Sequence, residues 1–363
     1  MNKKKVIDDF RIKGKLLCKA GQYYVLYRKG GIYIYTDIEK HWCKKVRIHN
    51  TLTDRVLTSI RIVERTFRLE PRLAINVADD EIVFSQKGNI YNLNLLNLRI
   101  TVEHRFREGM NNPLSFCSRV DKDGITHVLY GEYWPNRNRD EVSVFERIDG
   151  IWERRYTFPS KSIKHIHQII YDPNEESYLI ATGDSDGESA IWKADLQFQK
   201  VEPLHFGNQM YRTCFIIPRN GYFLYPTDSP VEKNRLISTA SGEPVPVYEM
   251  PGPCIYGRTV NEKYHIMATS VECRPDETWI GGLLHNKLAA GVKDFYSHLI
   301  LYNAETERFI EIGKFKKDII SVVFLFGNIM FPNVSDDSYI YFTGQALNGI
   351  DGCTARIRIS ELG

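Results

Sequence analysis

Two histidines stand at i and i+2 in the run Lys164-His165-Ile166-His167-Gln168-Ile169-Ile170-Tyr171-Asp172-Pro173. The run reads as a β-strand, in which alternation turns both rings to one face. A second apolar run follows and ends in Thr182-Gly183-Asp184-Ser185-Asp186-Gly187-Glu188, a loop with three carboxylates. Imidazoles in such company can serve as a general base, a substrate ligand or a metal ligand. Asp184 and Asp186 can equally cap their own turn. The same pattern returns in Gln209-Met210-Tyr211-Arg212 and in Tyr225-Pro226-Thr227-Asp228-Ser229-Pro230. Arg212 can grip a carboxylate bidentately or pair with Asp184 or Asp228. Tyr211 alternates with Arg212, so an inward Arg212 leaves Tyr211 to pack between sheets.

Positioning such a cluster takes a repeated scaffold. Apolar β-runs and turn residues mark a unit of four short strands, roughly forty to sixty residues long, as expected for propeller blades. The clearest unit has strands near 164–171, 177–183, 189–194 and 197–203. The next has strands near 210–217, 221–227, 234–239 and 245–249. Extended both ways, the units fall near 12–50, 65–106, 112–158, 163–204, 208–250, 252–313 and 318–360. The expected fold is all-β, a seven-bladed β-propeller of four-stranded blades filling 1–363 as one domain. Six or eight blades are the alternatives, because the second unit starts raggedly. The last strand, near Ala355–Ile359, is expected to pair with the N-terminal unit and close the ring, removing edge strands. Amphipathic helical patterns are scarce; the best short one lies within 276–294.

In a propeller, the start of each innermost strand and the connection between the second and third strands share one face. That places His165/His167, Gln209/Tyr211/Arg212 and Tyr256/Arg258 with three connections. These are Gly131-Glu132-Tyr133-Trp134-Pro135-Asn136-Arg137-Asn138-Arg139-Asp140, the 184–188 loop and 227–234. A long excursion at 272–296, with Arg274, Trp279, Gly281-Gly282 and His285, reads as a loop or lid on the sixth unit. The expected site takes His165, His167, Arg212, Asp184 and Asp228 as catalytic groups. Glu132, Tyr133, Trp134, Arg137, Asp186, Gln209, Tyr211, Tyr256, Arg258 and His285 are expected to bind substrate. Aromatic faces beside Asp and Arg suit sugars. No contiguous metal motif is present, so no cofactor is expected; a divalent metal, completed by Gln209, Asp184 or His205, is the alternative.

Composition narrows the classes. Lys and Arg number 48 against 45 Asp and Glu, a net charge of +3, which points to no nucleic-acid partner. No apolar stretch suggests membrane insertion, and the Lys3-Lys4-Lys5 start is followed by no signal-peptide core, so a cytoplasmic location is expected. Seven singly scattered cysteines read as free, mostly buried thiols. P-loop, dinucleotide-fingerprint, Gly-x-Ser-x-Gly and His-Glu-x-x-His motifs are absent.

On Gly131-Glu132-Tyr133, His165-Ile166-His167, Thr182-Gly183-Asp184-Ser185-Asp186, Gln209-Met210-Tyr211-Arg212 and Thr227-Asp228-Ser229-Pro230, the chain resembles sialidase-like, BNR-repeat propellers. It resembles in particular those encoded beside bacterial polysaccharide genes, and the propeller polysaccharide lyases. The resemblance covers roughly residues 112–260, less than half the chain. Arg147-Ile148-Asp149-Gly150-Ile151-Trp152 looks like a worn Asp-box turn. An Arg-Ile-Pro start motif and repeated intact Asp boxes are missing. The lyase resemblance implies His/Tyr/Arg chemistry on uronic acids, and hence an acidic oligo- or polysaccharide partner. Lyase cleavage is preferred to hydrolysis by a carboxylate pair. A non-catalytic glycan-binding or assembly protein and a protein-interaction scaffold are the alternatives from other classes.

Overall fold

The computed structural model describes residues 6–48, 51–274, 287–322 and 325–362. They form seven four-stranded antiparallel sheets, the blades of a β-propeller, spanning 15–47, 74–105, 117–158, 165–206, 217–249, 256–316 and 328–358 together with 7–13. The chain divides into two compact units: Pro71–Met250, holding blades two to five, and Met1–Glu70 with Pro251–Gly363, holding blades one, six and seven.

Within the continuous unit, a central strand feeds two neighbouring cores by alternation. The strand Ser177–Gly183 of blade four is buried throughout. Its Tyr178 and Ile180 pack into the third blade's side with Leu129, Val144 and Phe158. Leu179 and Ala181 pack the other way with Ile216, Tyr225 and Ile237 of the fifth. A sheet buried on both faces needs apolar residues at successive positions, which is why these strands read as runs. Gly131 is required by this packing: a Cβ there would stand 2.3 Å from the Ile166 side chain.

In the other unit the N-terminal strand Ile7–Lys13 pairs antiparallel with Cys353–Arg358, from Ile7 opposite Ile357 to Lys13 opposite Cys353. The seventh blade is therefore completed by the chain's beginning, and Asp8 pairs with Arg356 Nε at 2.7 Å. Deleting residues 1–13 exposes Cys353–Arg358 as an edge. The expected result is a lower melting temperature and concentration-dependent aggregation on size-exclusion chromatography. An unchanged melting curve would remove the closing role.

Two helices were not expected: Leu52–Ser59, capped by Thr51 Oγ accepting from Asp54 N, and Arg61–Thr66. Leu52, Val56 and Ile60 lie at helical spacing but are exposed, so the pattern pointed outward and marked no core. The inward face is ionic: Arg61 bonds Glu70 at 2.7 Å, and Arg65 bonds Asp318 at 2.6 Å and Asp351 at 2.9 Å. The expected helix at 276–294 falls largely on 275–286, outside the described residues, as do Trp279 and His285. All seven cysteines are free thiols and four are buried. Among the described residues, no helix is long and apolar enough to cross a membrane.

Candidate functional site

The site lies in the continuous unit, where blades three, four and five meet. The strand His165–Asp172 carries its histidines across a β-bulge: Ile166 pairs with Thr182 and Gln168 with Ala181, leaving His167 as the extra residue. The bulge shifts the phase, so Ile166 and Ile169 share one core despite their spacing. Each imidazole is pinned through Nδ1, His165 on the Trp134 carbonyl at 2.8 Å and His167 on the Thr213 carbonyl at 3.1 Å. A carbonyl only accepts, so each Nδ1 carries a hydrogen and each neutral ring presents an Nε2 lone pair. Those two Nε2 atoms are 3.0 Å apart, and Asp184 Oδ1 lies 3.2 Å from His167 Nε2 and 3.4 Å from His165 Nε2. Three lone-pair atoms this close need a proton or a cation among them.

Positive groups hold the carboxylate from outside. Lys164 Nζ reaches Asp184 Oδ2 at 2.6 Å, Arg212 Nη2 reaches Oδ1 at 3.2 Å, and Arg212 Nη1 donates to the Asp184 carbonyl at 3.1 Å. Burial alone would raise the Asp184 carboxyl. A proton on His165 or His167 Nε2 shared with Asp184, together with the Arg212 guanidinium, more than offsets it and holds the group well below the usual carboxylate range. Burial lowers His165 and raises Asp228. Asp228 Oδ2 accepts from the Cys214 thiol at 3.2 Å and lies 3.7 Å from Arg212 Nε. The Tyr133 ring sits 4.4 Å from that of His165, and burial pushes its hydroxyl up to about 12, so it carries its proton at neutral pH. The histidine side chains are 4% and 2% exposed, whereas Asp184, Lys164 and Arg212 are 28%, 22% and 14% exposed. Solvent therefore meets the site at its charged edge, with the imidazoles behind.

The remaining expected residues separate by partner. Glu132 is buried, doubly bonded to Arg107 at 2.9 and 2.7 Å, and accepts from the Ser143 amide, so its carboxylate orders the 132–141 connection rather than facing substrate. Trp134 serves through its carbonyl while Arg107 covers its ring. Gln209 is buried and donates to the Asp184 carbonyl at 2.8 Å. Residues 209–211 form a 3-10 turn, not the start of a strand; the strand begins at Ile217, and Tyr211 stacks on His205. This stacking occupies the ring expected to bind sugar and the imidazole considered as a ligand. Asp186 and Arg137 are exposed, and Arg139 bonds Glu188 across the neighbouring loops. Tyr256 and Arg258 belong to the other unit, where the Arg258 guanidinium donates to the Pro332 and Val334 carbonyls, both at 2.7 Å, in place of a substrate carboxylate. Lys164 and Cys214 were not singled out. Cys214 stands two residues after Arg212, but an isolated cysteine in an apolar run signals only burial.

Acid should weaken this arrangement. The folded-state pKa of His165 lies below its unfolded value of 6.5, so the unfolded chain takes up the proton first as pH falls. Stability from this group is complete above pH 6.5 and is lost below it. Asp184, lowered from 3.8, adds a further loss below about pH 4. The expected denaturant midpoint of chelator-treated protein declines from pH 7 to pH 5 and again below pH 4; a flat profile between 7 and 5 would contradict the buried neutral His165.

No protein-family model matches the chain, and no curated protein matches it. Solved structures do match its fold. An oligogalacturonate lyase in complex with manganese is similar with a TM-score of 0.56 at 10% identity, over 97% of this chain and 92% of that one. An oligogalacturonate lyase from Vibrio parahaemolyticus is similar with a TM-score of 0.57 at 11% identity, over the same shares. A chain of a mitotic checkpoint complex is similar with a TM-score of 0.54 at 7% identity, over 99% and 96%. At such identities the likeness establishes the propeller fold alone.

Proposed function

We propose that the protein cleaves an acidic oligosaccharide by β-elimination at the centre formed by Tyr133, Lys164, His165, His167, Asp184 and Arg212. The observation that carries this reading is the convergence of two Nε2 lone pairs beside a guanidinium and an ammonium group. A uronate carboxylate exchanging with Asp184 on Arg212 and Lys164 has its charge offset, which acidifies the C–H adjacent to it. Nε2 of His165 or His167 removes that proton. The C–H electron pair becomes the new C=C bond, the neighbouring C–O bond breaks, and the leaving oxygen takes a proton from Tyr133. Two neighbours in fold are named as oligogalacturonate lyases, which supports an acidic glycan as the substrate class.

One of those neighbours is described with manganese. The donors here fit a divalent ion: atoms about 2.1 Å from one centre at 90–110° stand about 3.0–3.4 Å apart, as do the two Nε2 atoms and Asp184 Oδ1. His165, His167 and Asp184 would hold it through the same two Nε2 lone pairs, so such an ion would neutralise the substrate carboxylate in place of, not together with, an imidazole base on these residues. A glycan-binding protein without turnover is the second reading, favoured by the Asp184 carboxylate already seated on Arg212 and Lys164.

The test is incubation with a panel of acidic oligo- and polysaccharides, including oligogalacturonate, with manganese or with chelator. Near-ultraviolet absorbance reports the unsaturated product, and a reducing-end assay reports hydrolysis. Elimination product is the expected result. Reducing ends without absorbance would replace elimination by hydrolysis, and tight binding without either would replace it by the binding reading.

A further inference from the structure

The helices Leu52–Ser59 and Arg61–Thr66 pack with their polar side and leave their apolar side in water, the reverse of the usual arrangement. Inward, a Cβ on Gly30 would stand 2.7 Å from Thr58 Oγ1, so the first helix rests on the 28–31 turn. The Tyr27 hydroxyl donates to Glu64 at 2.8 Å, and Arg61 and Arg65 are tied to Glu70, Asp318 and Asp351. Outward, Leu52, Val56 and Ile60 form one row at helical spacing, and Ile62 and Phe67 follow. All five are 48–77% exposed. Single exposed apolar residues are ordinary, whereas a row of them on one short segment marks a surface that meets a partner. We propose that this face docks on an anionic phospholipid bilayer, with the five apolar side chains entering the boundary between headgroups and acyl chains.

Charge selects that occupant. Arg55 and Arg68 are the exposed charged residues of the helical segment, and Arg28 and Lys29 are exposed on the turn beneath it. Lys13, also exposed, stands opposite Cys353, beside the Gly352 on which Arg61 rests. The acids of the segment are turned away: Glu64 and Glu70 are buried, and half-buried Asp54 accepts from the Thr51 hydroxyl. A second copy of the chain would set one basic rim against another, which costs affinity. A stable protein interface takes about 20–30 residues a side, more than these two short helices supply. A lipid surface needs only apolar area flanked by Lys and Arg, each of which tightens binding to anionic headgroups about fivefold. The contact is interfacial, because no helix among the described residues can cross a membrane.

The test is sedimentation of full-length protein with vesicles of phosphatidylcholine alone or of phosphatidylcholine mixed with phosphatidylglycerol. The protein is expected to sediment with the mixed vesicles, to stay in solution with phosphatidylcholine alone, and to be released by raised salt. Replacing Leu52, Val56 and Phe67 together by Gln should weaken binding about a hundredfold or more. Arg55→Gln with Arg68→Gln should weaken it about twentyfold. All five positions are exposed, and circular dichroism and melting curves establish that each variant is folded; the arginine pair keeps the test decisive if the triple variant is not. Wild-type protein that ignores the mixed vesicles, that sediments equally with phosphatidylcholine alone, or that binds no better than either folded variant overturns the proposal. So does a wild-type dimer in analytical ultracentrifugation that the triple variant dissociates, which would give the face to a second copy of the chain. None of these outcomes depends on the glycan reading.

Discussion

His167→Ala is expected to reduce kcat on the acidic oligosaccharide by about 10²–10⁴-fold, the range general-base removal usually costs. His167 is the bulge residue, fixed by the Thr213 carbonyl at one nitrogen and directed at His165 and Asp184 by the other. Truncation removes the lone pair and leaves the Thr213 carbonyl without that donor, a loss of about 1–3 kcal/mol in stability. The folding defect is therefore small beside the kinetic one. Substrate affinity should change little, because the groups that hold the carboxylate remain. A steady-state comparison of kcat and KM, with melting curves run in parallel, checks both parts. A folded variant retaining kcat within about threefold of wild type would exclude His167 as the base or as its essential partner.

The second large effect concerns stability as well as turnover. Arg212→Met should lower stability by about 3–5 kcal/mol, the cost of removing one partner from a buried ionic cluster. Arg212 is shared between Asp184 and Asp228, and the Asp228 side chain is 8% exposed, so its charge has little access to water. Lys164 still neutralises part of Asp184, which leaves Asp228 as the main liability. Adding Asp228→Asn to the variant should therefore recover much of the lost stability without restoring turnover. Denaturant unfolding of wild type, both single variants and the double variant makes the cycle. If the two substitutions simply add, Arg212 does not act by neutralising Asp228.

The blades were legible because two signals coincide: apolar runs of strand length, and turns whose side chains bond their own backbone. Asp172 shows the second, its Oδ1 accepting from the Asn174 amide just after the strand. His165, His167, Asp184 and Arg212 were brought together by the rule that one face collects strand starts and second connections. The bulge at His167 was not legible, since inserting one residue changes pairing without changing residue types. Nor was the turn at 209–211, where a run of β-compatible residues hid the capping Asn208. Lys164 and Cys214 were missed for a different reason. A lysine at a strand start and a cysteine in an apolar run have common structural uses, and only their distances to Asp184 and Asp228 mark them out.

The interleaving of the two units has a consequence for synthesis. Residues 71–250 are continuous in the chain, whereas the other unit includes the strand Ile7–Lys13, which waits for Cys353–Arg358 near the end. Domains fold as units while the polypeptide leaves the ribosome, N-terminal material first. The four blades that carry the histidine pair can thus assemble while the last third of the protein is still being translated. A nascent chain whose first 250 residues have left the ribosome should already contain the His165–Asp184–Arg212 cluster, with the strand Ile7–Lys13 still waiting for Cys353–Arg358.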